Sequence, residues 1–366
     1  MINVLFIVYH DLKVDERAQE ELLCLKKLGN VTIVSYCNIY PDPEVTAFYN
    51  EGEKRDYRAF CKNAVLTMKR GGYDVVVLHD FYTAPLIPKV RRYLPESRIV
   101  YDSSELFYYK KFIKGKTFNA KMGVFLLLAE QLYLKKCDVV IAASIERAQI
   151  MQKRFKLKML PLVFDNIHKI NVDYDEDSCS GKYHDLFHEG RFTVFYAGGI
   201  SDERMTYDIA ESIGRLGDDY FLIVAGEATD SEKERFKRFL SDKSISNCFF
   251  IGFVSREDLK YLLLKSDVNI SAFALDSVNN IYCASGKTYE GFFLGKPLLA
   301  GINPPLKKLC DDYHVGVSTD DFGAGCVQIR NHYQYYADNV IKYVESLDYD
   351  NRIDNLADQI RDRLVL

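Results

Sequence analysis

The segment Ser285-Gly286-Lys287-Thr288-Tyr289-Glu290 is the part of this chain whose residue types and spacing are best suited to chemistry. It precedes a short apolar run that stops at Gly295 and Pro297, which predicts a loop, a short helix and a buried strand. A loop that opens a helix presents backbone N–H groups and a partial positive charge, a natural seat for a phosphate. Lys287 adds a full charge there. Glu290 lies one turn further along the same face, where its carboxylate could accept hydrogen bonds from sugar hydroxyls. One end suits a diphosphate and the other a ribose. The competing reading is a plain i,i+3 surface pair between Lys287 and Glu290.

Other residues fall at the ends of predicted strands. Tyr196-Ala-Gly198-Gly199-Ile200 puts glycines where a missing Cβ lets a ligand approach the backbone. Arg204 follows at the opening of a helix and can offer bidentate hydrogen bonds to a diphosphate. In the first half, His79-Asp80 ends a buried strand, and Ser104-Glu105 follows the next one. Doubly wound folds bind ligands at such strand ends. Asp15 and Arg17 follow the first strand, and the simplest reading is a helix N-terminal acid and a solvated charge. His184 and His188 lack the neighbouring glutamate of a zinc-protease motif and are assigned to chance, so no metal is expected.

The elements that must position these residues alternate along the chain. Apolar strands at 4–9, 31–36, 75–79, 99–101 and 139–142 are separated by helical patterns, as are those at 192–197, 221–225, 248–251, 268–272 and 298–301. Strands apolar throughout and separated by helices imply parallel sheets covered on both faces. The predicted fold class is α/β, with two doubly wound Rossmann-like domains facing across a cleft. The first domain is expected over 1–165 and a polar linker over 166–191. The second follows over 192–345, and the closing stretch 335–366 reads as amphipathic helix.

A chain of 366 residues fits two domains, and 48% hydrophobic with 27% charged residues is globular composition. The net charge of −4 gives no overall pull toward nucleic acid. The nine cysteines include no CxxC pair, so reduced, mostly buried thiols and a cytoplasmic location are expected. No signal-peptide pattern precedes the first strand. Walker A, G-x-G-x-x-G and G-x-S-x-G patterns do not occur, which argues against ATPase, dehydrogenase and hydrolase readings. Lys110, Lys111, Lys114, Lys116 and Lys121 are interleaved with aromatic residues, a pattern suited either to an anionic membrane surface or to a solvated helix.

Residues 285–297 resemble the donor site of GT-B glycosyltransferases, specifically the retaining group that includes glycosyltransferase family 4. The resemblance implies nucleotide-sugar binding by Gly198, Gly199, Gly226, Phe253, Val254, Ser285 and Gly286. It implies a catalytic role for Arg204, Lys287 and Glu290, and an acceptor or sugar side formed by His79, Asp80, Ser104 and Glu105. It further implies a last helix, over 346–366, that crosses back to the first domain. The implied reaction is metal-independent, retaining transfer of a sugar from a nucleoside-diphosphate sugar to a hydroxyl acceptor, with no cofactor. Polysaccharide or glycolipid assembly, at the inner face of a membrane, is the implied setting. Two positions depart from the family: Tyr282 stands where a first glutamate is usual, and Ser104 replaces a histidine. A silent nucleotide-sugar-binding partner of an active transferase, or a sugar-nucleotide epimerase on the same fold, therefore stays open.

Overall fold

A computed structural model of the chain describes residues 2–12, 15–35, 46–48, 56–107, 118–188 and 190–365. They form two compact units, Met1–Asn166 with Asp348–Leu366, and Ile167–Leu347. Each is a parallel sheet wrapped by helices.

The first sheet contains β1 (Ile2–Val8), β2 (Gly29–Ser35), β3 (Thr46–Phe48), β4 (Val75–His79), β5 (Arg98–Ser103), β6 (Val139–Ala142) and β7 (Leu162–Val163). Their order is β3-β2-β1-β4-β5-β6-β7. Val4, Leu5, Phe6 and Ile7 are all fully buried, so β1 has both faces covered. That is why its sequence runs apolar and does not alternate. The strand order reverses at β1, with β2 on one side and β4 on the other. The C-terminal ends of β1 and β4 therefore flank the topological switch point, the usual ligand position in such sheets.

The second sheet repeats this plan with β8 (Phe192–Ala197), β9 (Tyr220–Ala225), β10 (Cys248–Gly252), β11 (Val268–Ser271), β12 (Leu298–Ala300) and β13 (Gly316–Ser318). The order is β10-β9-β8-β11-β12-β13, and the reversal falls at β8. Its C-terminal end and that of β11 flank the second switch point.

The segment 166–191, expected as a linker, packs on the second unit. Ile170 and Cys179 are buried there with Phe195, Ile223 and Leu262. Asp175 caps the helix Glu176–Tyr183 by accepting from the Asp177 and Ser178 amides. The chain passes between units at Asn166/Ile167 and again at Leu347/Asp348. The closing stretch is two helices, Tyr333–Ser346 in the second unit and Arg352–Leu364 in the first, interrupted at 347–351. Leu356, Ala357, Ile360 and Leu364 of the last helix are buried with Leu22 and Leu25 of helix Glu16–Leu28. Arg361 donates to the Lys27 carbonyl across the same contact.

Among the described residues, no helix is long and apolar enough to cross a membrane. Of the five lysines read as a basic patch, Lys110, Lys111, Lys114 and Lys116 lie outside the described residues, and Lys121 is exposed. The eight described cysteines are free thiols, six of them buried.

Ile360 is fully buried, so Ile360→Ala should destabilise the first unit by about 2–5 kcal/mol through lost burial and a cavity. Urea unfolding followed by a probe in the first unit would measure it; a loss below about 1 kcal/mol would mean that the last helix is not integral to that core.

Candidate nucleotide-sugar site and a buried charge network

In the second unit, helix Gly286–Phe293 begins at Ser285, which supplies no side-chain cap. Its first amides are therefore left without the usual side-chain acceptor. Gly286 is required by packing: a Cβ built there would come 2.3 Å from His168 Cδ2. Both His168 and Lys169, which lies over the Phe293 ring, come from the segment read as linker. Asn269, buried within β11, donates to the Lys287 carbonyl at 2.9 Å and anchors the start of the helix.

Lys287 does not pair with Glu290. Its Nζ donates to the Ala197 carbonyl, the last residue of β8, at 2.9 Å. Glu290 is 4% exposed, and its Oε1 accepts from Arg256 Nη1 at 2.6 Å. Glu290 Oε2 is buried without a hydrogen-bond partner. The simple surface-pair reading thus fails, because the two side chains engage different neighbours. Crowding by protein atoms, and then the charges of Arg204 and Arg256, push the Lys287 ammonium below the ordinary lysine value against the pull of Glu290. The three cations and the carboxylate therefore occupy one neighbourhood.

Arg204 is brought there by the loop after β8. Its carbonyl accepts from Tyr196 Oη at 2.9 Å, and Glu203 accepts from the Ala274 amide, tying this loop to the one after β11. The Arg204 guanidinium lies 4.7 Å over the Phe273 ring and remains exposed. Such stacking holds the planar group without consuming its N–H donors.

Two of the expected donor-side glycines also serve packing between loops. A Cβ on Gly199 would sit 2.7 Å from the Glu227 carbonyl, and one on Gly226 would sit 2.4 Å from the Gly198 carbonyl. The loops after β8 and β9 touch through backbone, and the glycines make that contact possible. Phe253, just past β10, is 75% exposed, whereas Val254 packs into the core beside Leu262.

The acceptor-side residues belong to the first unit. Ser104 and Glu105 are half-buried, and the Ser104 carbonyl accepts from Arg147. His79 and Asp80, expected on the same side, are buried at 0% and 2% exposure. They are part of a charge network at the ends of β1, β4 and β5. Arg17, read from sequence as solvated, is 5% exposed and bidentate to Asp102 at 2.7 Å for both contacts. Asp15 caps helix Glu16–Leu28 through the Ala18 amide. His79 Nδ1 lies 2.7 Å from Glu21 Oε2, and His10 Nδ1 lies 2.5 Å from Asp15 Oδ2. Burial, followed by the nearby Asp102, raises the Glu21 carboxyl to about 7. Burial alone would lower both imidazoles, but the surrounding carboxylates outweigh it, and His10 rises to about 9. Asp80 carries a strained backbone, φ 62°, at the strand end.

Arg256, Asn269 and His168 were not singled out in the sequence, and neither were His10 and Glu21. A signal existed for two of them. His10 lies two residues past β1 as His79 ends β4, and Arg256 opens a helix two residues after Val254.

No protein-family model matches this chain, and no curated protein matches it. Solved structures do. A sucrose-phosphate synthase from Thermosynechococcus elongatus superposes with a TM-score of 0.76 at 13% identity, over 99% of each chain. The Anabaena protein HepE in complex with UDP gives 0.71 at 14% identity, over 99% of this chain and 100% of that one. WaaG, a glycosyltransferase involved in lipopolysaccharide biosynthesis, gives 0.70 at 14% identity, over 98% and 99%. The chain has the GT-B fold of these glycosyltransferases.

Removing one partner of a buried pair leaves the other uncompensated, so Asp102→Ala should cost about 3–5 kcal/mol of first-unit stability, read by denaturant unfolding. Gly286→Ala should displace the start of helix Gly286–Phe293, and pairing it with His168→Ala should relieve the clash. Thermal unfolding of the single and double variants measures this; equal losses in both would mean that His168 does not set the helix position.

Proposed function

We propose that the chain is a retaining, metal-independent glycosyltransferase that moves a sugar from a nucleoside-diphosphate sugar to a hydroxyl acceptor. The observation that carries this reading is the group formed by Lys287, Arg204, Arg256 and Glu290 at an uncapped helix start, with Glu290 Oε2 buried and unpartnered. Three cations gathered around one carboxylate leave positive charge to be met, and a diphosphate meets it. A buried carboxylate oxygen lacking a donor is costly, and a ribose hydroxyl would supply one. Structures of HepE with UDP and UDP-glucose support a nucleotide-sugar donor for this fold.

The barrier to transfer lies in breaking the anomeric C–O bond while charge grows on the departing diphosphate. Lys287, Arg204 and the amides of helix Gly286–Phe293 stabilise that charge as it develops. Arg256 orients Glu290, which grips the ribose, and Phe253 offers an aromatic face beside the base. The acceptor oxygen forms the new bond on the face the diphosphate leaves, and its proton departs with the diphosphate. No protein nucleophile is assigned. Ser104, Glu105, His79 and Asp80 shape the acceptor or sugar side.

The acceptor is a saccharide or lipid-linked saccharide of polysaccharide or glycolipid assembly, met at a membrane surface from the cytoplasm. Support comes from helix Phe118–Tyr133, where Phe125, Leu128 and Leu132 are exposed at a spacing that puts them on one face with Lys121. The Lys110–Lys116 run precedes this helix in sequence.

Lys287→Ala should weaken donor binding or turnover at least tenfold, and unchanged kinetics would remove the central assignment. Glu290→Gln should weaken binding of free UDP in calorimetry, and equal affinity would exclude the ribose role. Product analysis over an acceptor panel tests the reaction itself: donor binding without transfer would instead favour the silent-partner reading prompted by Tyr282 and Ser104.

A further inference from the structure

We infer that the first unit holds a site for one divalent transition-metal ion of the zinc class, with His10, Asp15 and His79 as ligands. Candidate ligand atoms of these three side chains all lie within 4.8 Å of one another. They come from the end of β1, the cap of the helix that follows, and the end of β4, at the switch point of the sheet. Nothing in this site depends on sugar transfer, and it lies wholly within the first unit.

His79 provides the observation that separates this cluster from an ordinary set of charges. Its ring is fully buried, and Nδ1 is engaged by Glu21 Oε2 at 2.7 Å. The opposite nitrogen, Nε2, is buried without a hydrogen-bond partner and faces Asp15 Oδ2 at 3.6 Å, beyond hydrogen-bond reach. A ring whose outer nitrogen is held by a carboxylate has its inner nitrogen's lone pair oriented for a metal, the usual outer-sphere arrangement of a ligating histidine. His10 repeats the pattern, with Nδ1 toward Asp15 and Nε2 3.4 Å from Asp80 Oδ2. The two rings lie at 80° to each other, 5.5 Å apart.

The dimensions suit a small ion. Zinc holds nitrogen and oxygen ligands at about 2.0–2.2 Å, which sets tetrahedral ligand atoms about 3.3 Å apart. His79 Nε2 and Asp15 Oδ2 are close to that spacing. The His10–Asp15 contact, at 2.5 Å, must widen by a little under about 1 Å to reach it. His10 can move because its side chain is 30% exposed, and that opening gives the ion an entry path and room for water as a fourth ligand. Charge agrees. Asp102 is matched by Arg17, while the Asp15, Glu21 and Asp80 carboxylates surround the two rings and suit a dication. Two imidazoles with one carboxylate favour zinc-like ions over magnesium or calcium, which prefer all-oxygen sites.

The test uses the full chain without an affinity tag, stripped with chelator and titrated with Zn²⁺ in a calorimeter, with metal content then measured by mass spectrometry. One Zn²⁺ per chain and no uptake of Mg²⁺ are expected. His10→Gln and Asp15→Asn should each weaken zinc binding at least tenfold. Both variants should fold, since His10 is partly exposed and asparagine keeps the helix cap. Glu21→Gln should weaken it by about 10–100-fold through the loss of outer-sphere orientation. No zinc bound by the wild type, undiminished binding by His10→Gln, or binding abolished instead by the His184→Gln and His188→Gln double variant would overturn the site.

Discussion

Everything at the second switch point depends on holding like charges together. Lys287, Arg204 and Arg256 repel one another, and their repulsion adds to burial in holding the Lys287 ammonium below the ordinary lysine value. Three different restraints keep them in place. Lys287 is tied to the carbonyl that ends β8, Arg256 is tied to Glu290, and Arg204 lies on Phe273. The restraints come from the end of β8, from helix Gly286–Phe293 and from the loop after β11, so the group exists only once the sheet has set β8 beside β11. A polyanion relieves the repulsion, and the site is consequently more comfortable filled than empty. On the proposed function, that asymmetry is what a departing diphosphate would draw on.

The first unit solves the opposite electrostatic problem at the same topological place. There, four carboxylates from three segments converge on Arg17 and two imidazoles behind the ends of β1, β4 and β5. Burial makes each charge expensive unless it is paired, so the network fixes where those strand ends sit relative to helix Glu16–Leu28. Ser103, buried, and Ser104, half-buried, follow directly on Asp102.

Sequence and structure agree where periodicity is strong. The apolar runs at β1, β4, β8 and β9 were legible because strands buried on both faces leave an unbroken hydrophobic record. Strands β3, β7 and β13 were missed because two or three residues carry no period. The stretch 166–191 read as linker because its apolar residues are spaced irregularly, yet Ile170, Val172, Cys179 and Phe187 suffice to dock it. Within the site, Lys287, Glu290 and Arg204 stood out by type and position relative to turns. Arg256 and His168 did not, since what matters is a contact across 34 residues in one case and 118 in the other, a separation local spacing cannot register. Arg17 was misread for the same reason: its partner Asp102 lies 85 residues away.

The glycines illustrate why a motif and its physical cause must be kept apart. At strand ends, a glycine invites the reading that a ligand needs the space of the absent Cβ. At Gly199 and Gly226 that space is already filled by carbonyl groups of the adjoining loop. Packing alone thus requires glycine at both positions, so their presence does not by itself argue for a ligand. The case for a ligand has to rest on features that packing does not satisfy. Glu290 Oε2 is one, being buried, charged and without a donor, and the uncapped start of helix Gly286–Phe293 is another. A folded chain tolerates such costs where something else, bound in function, removes them.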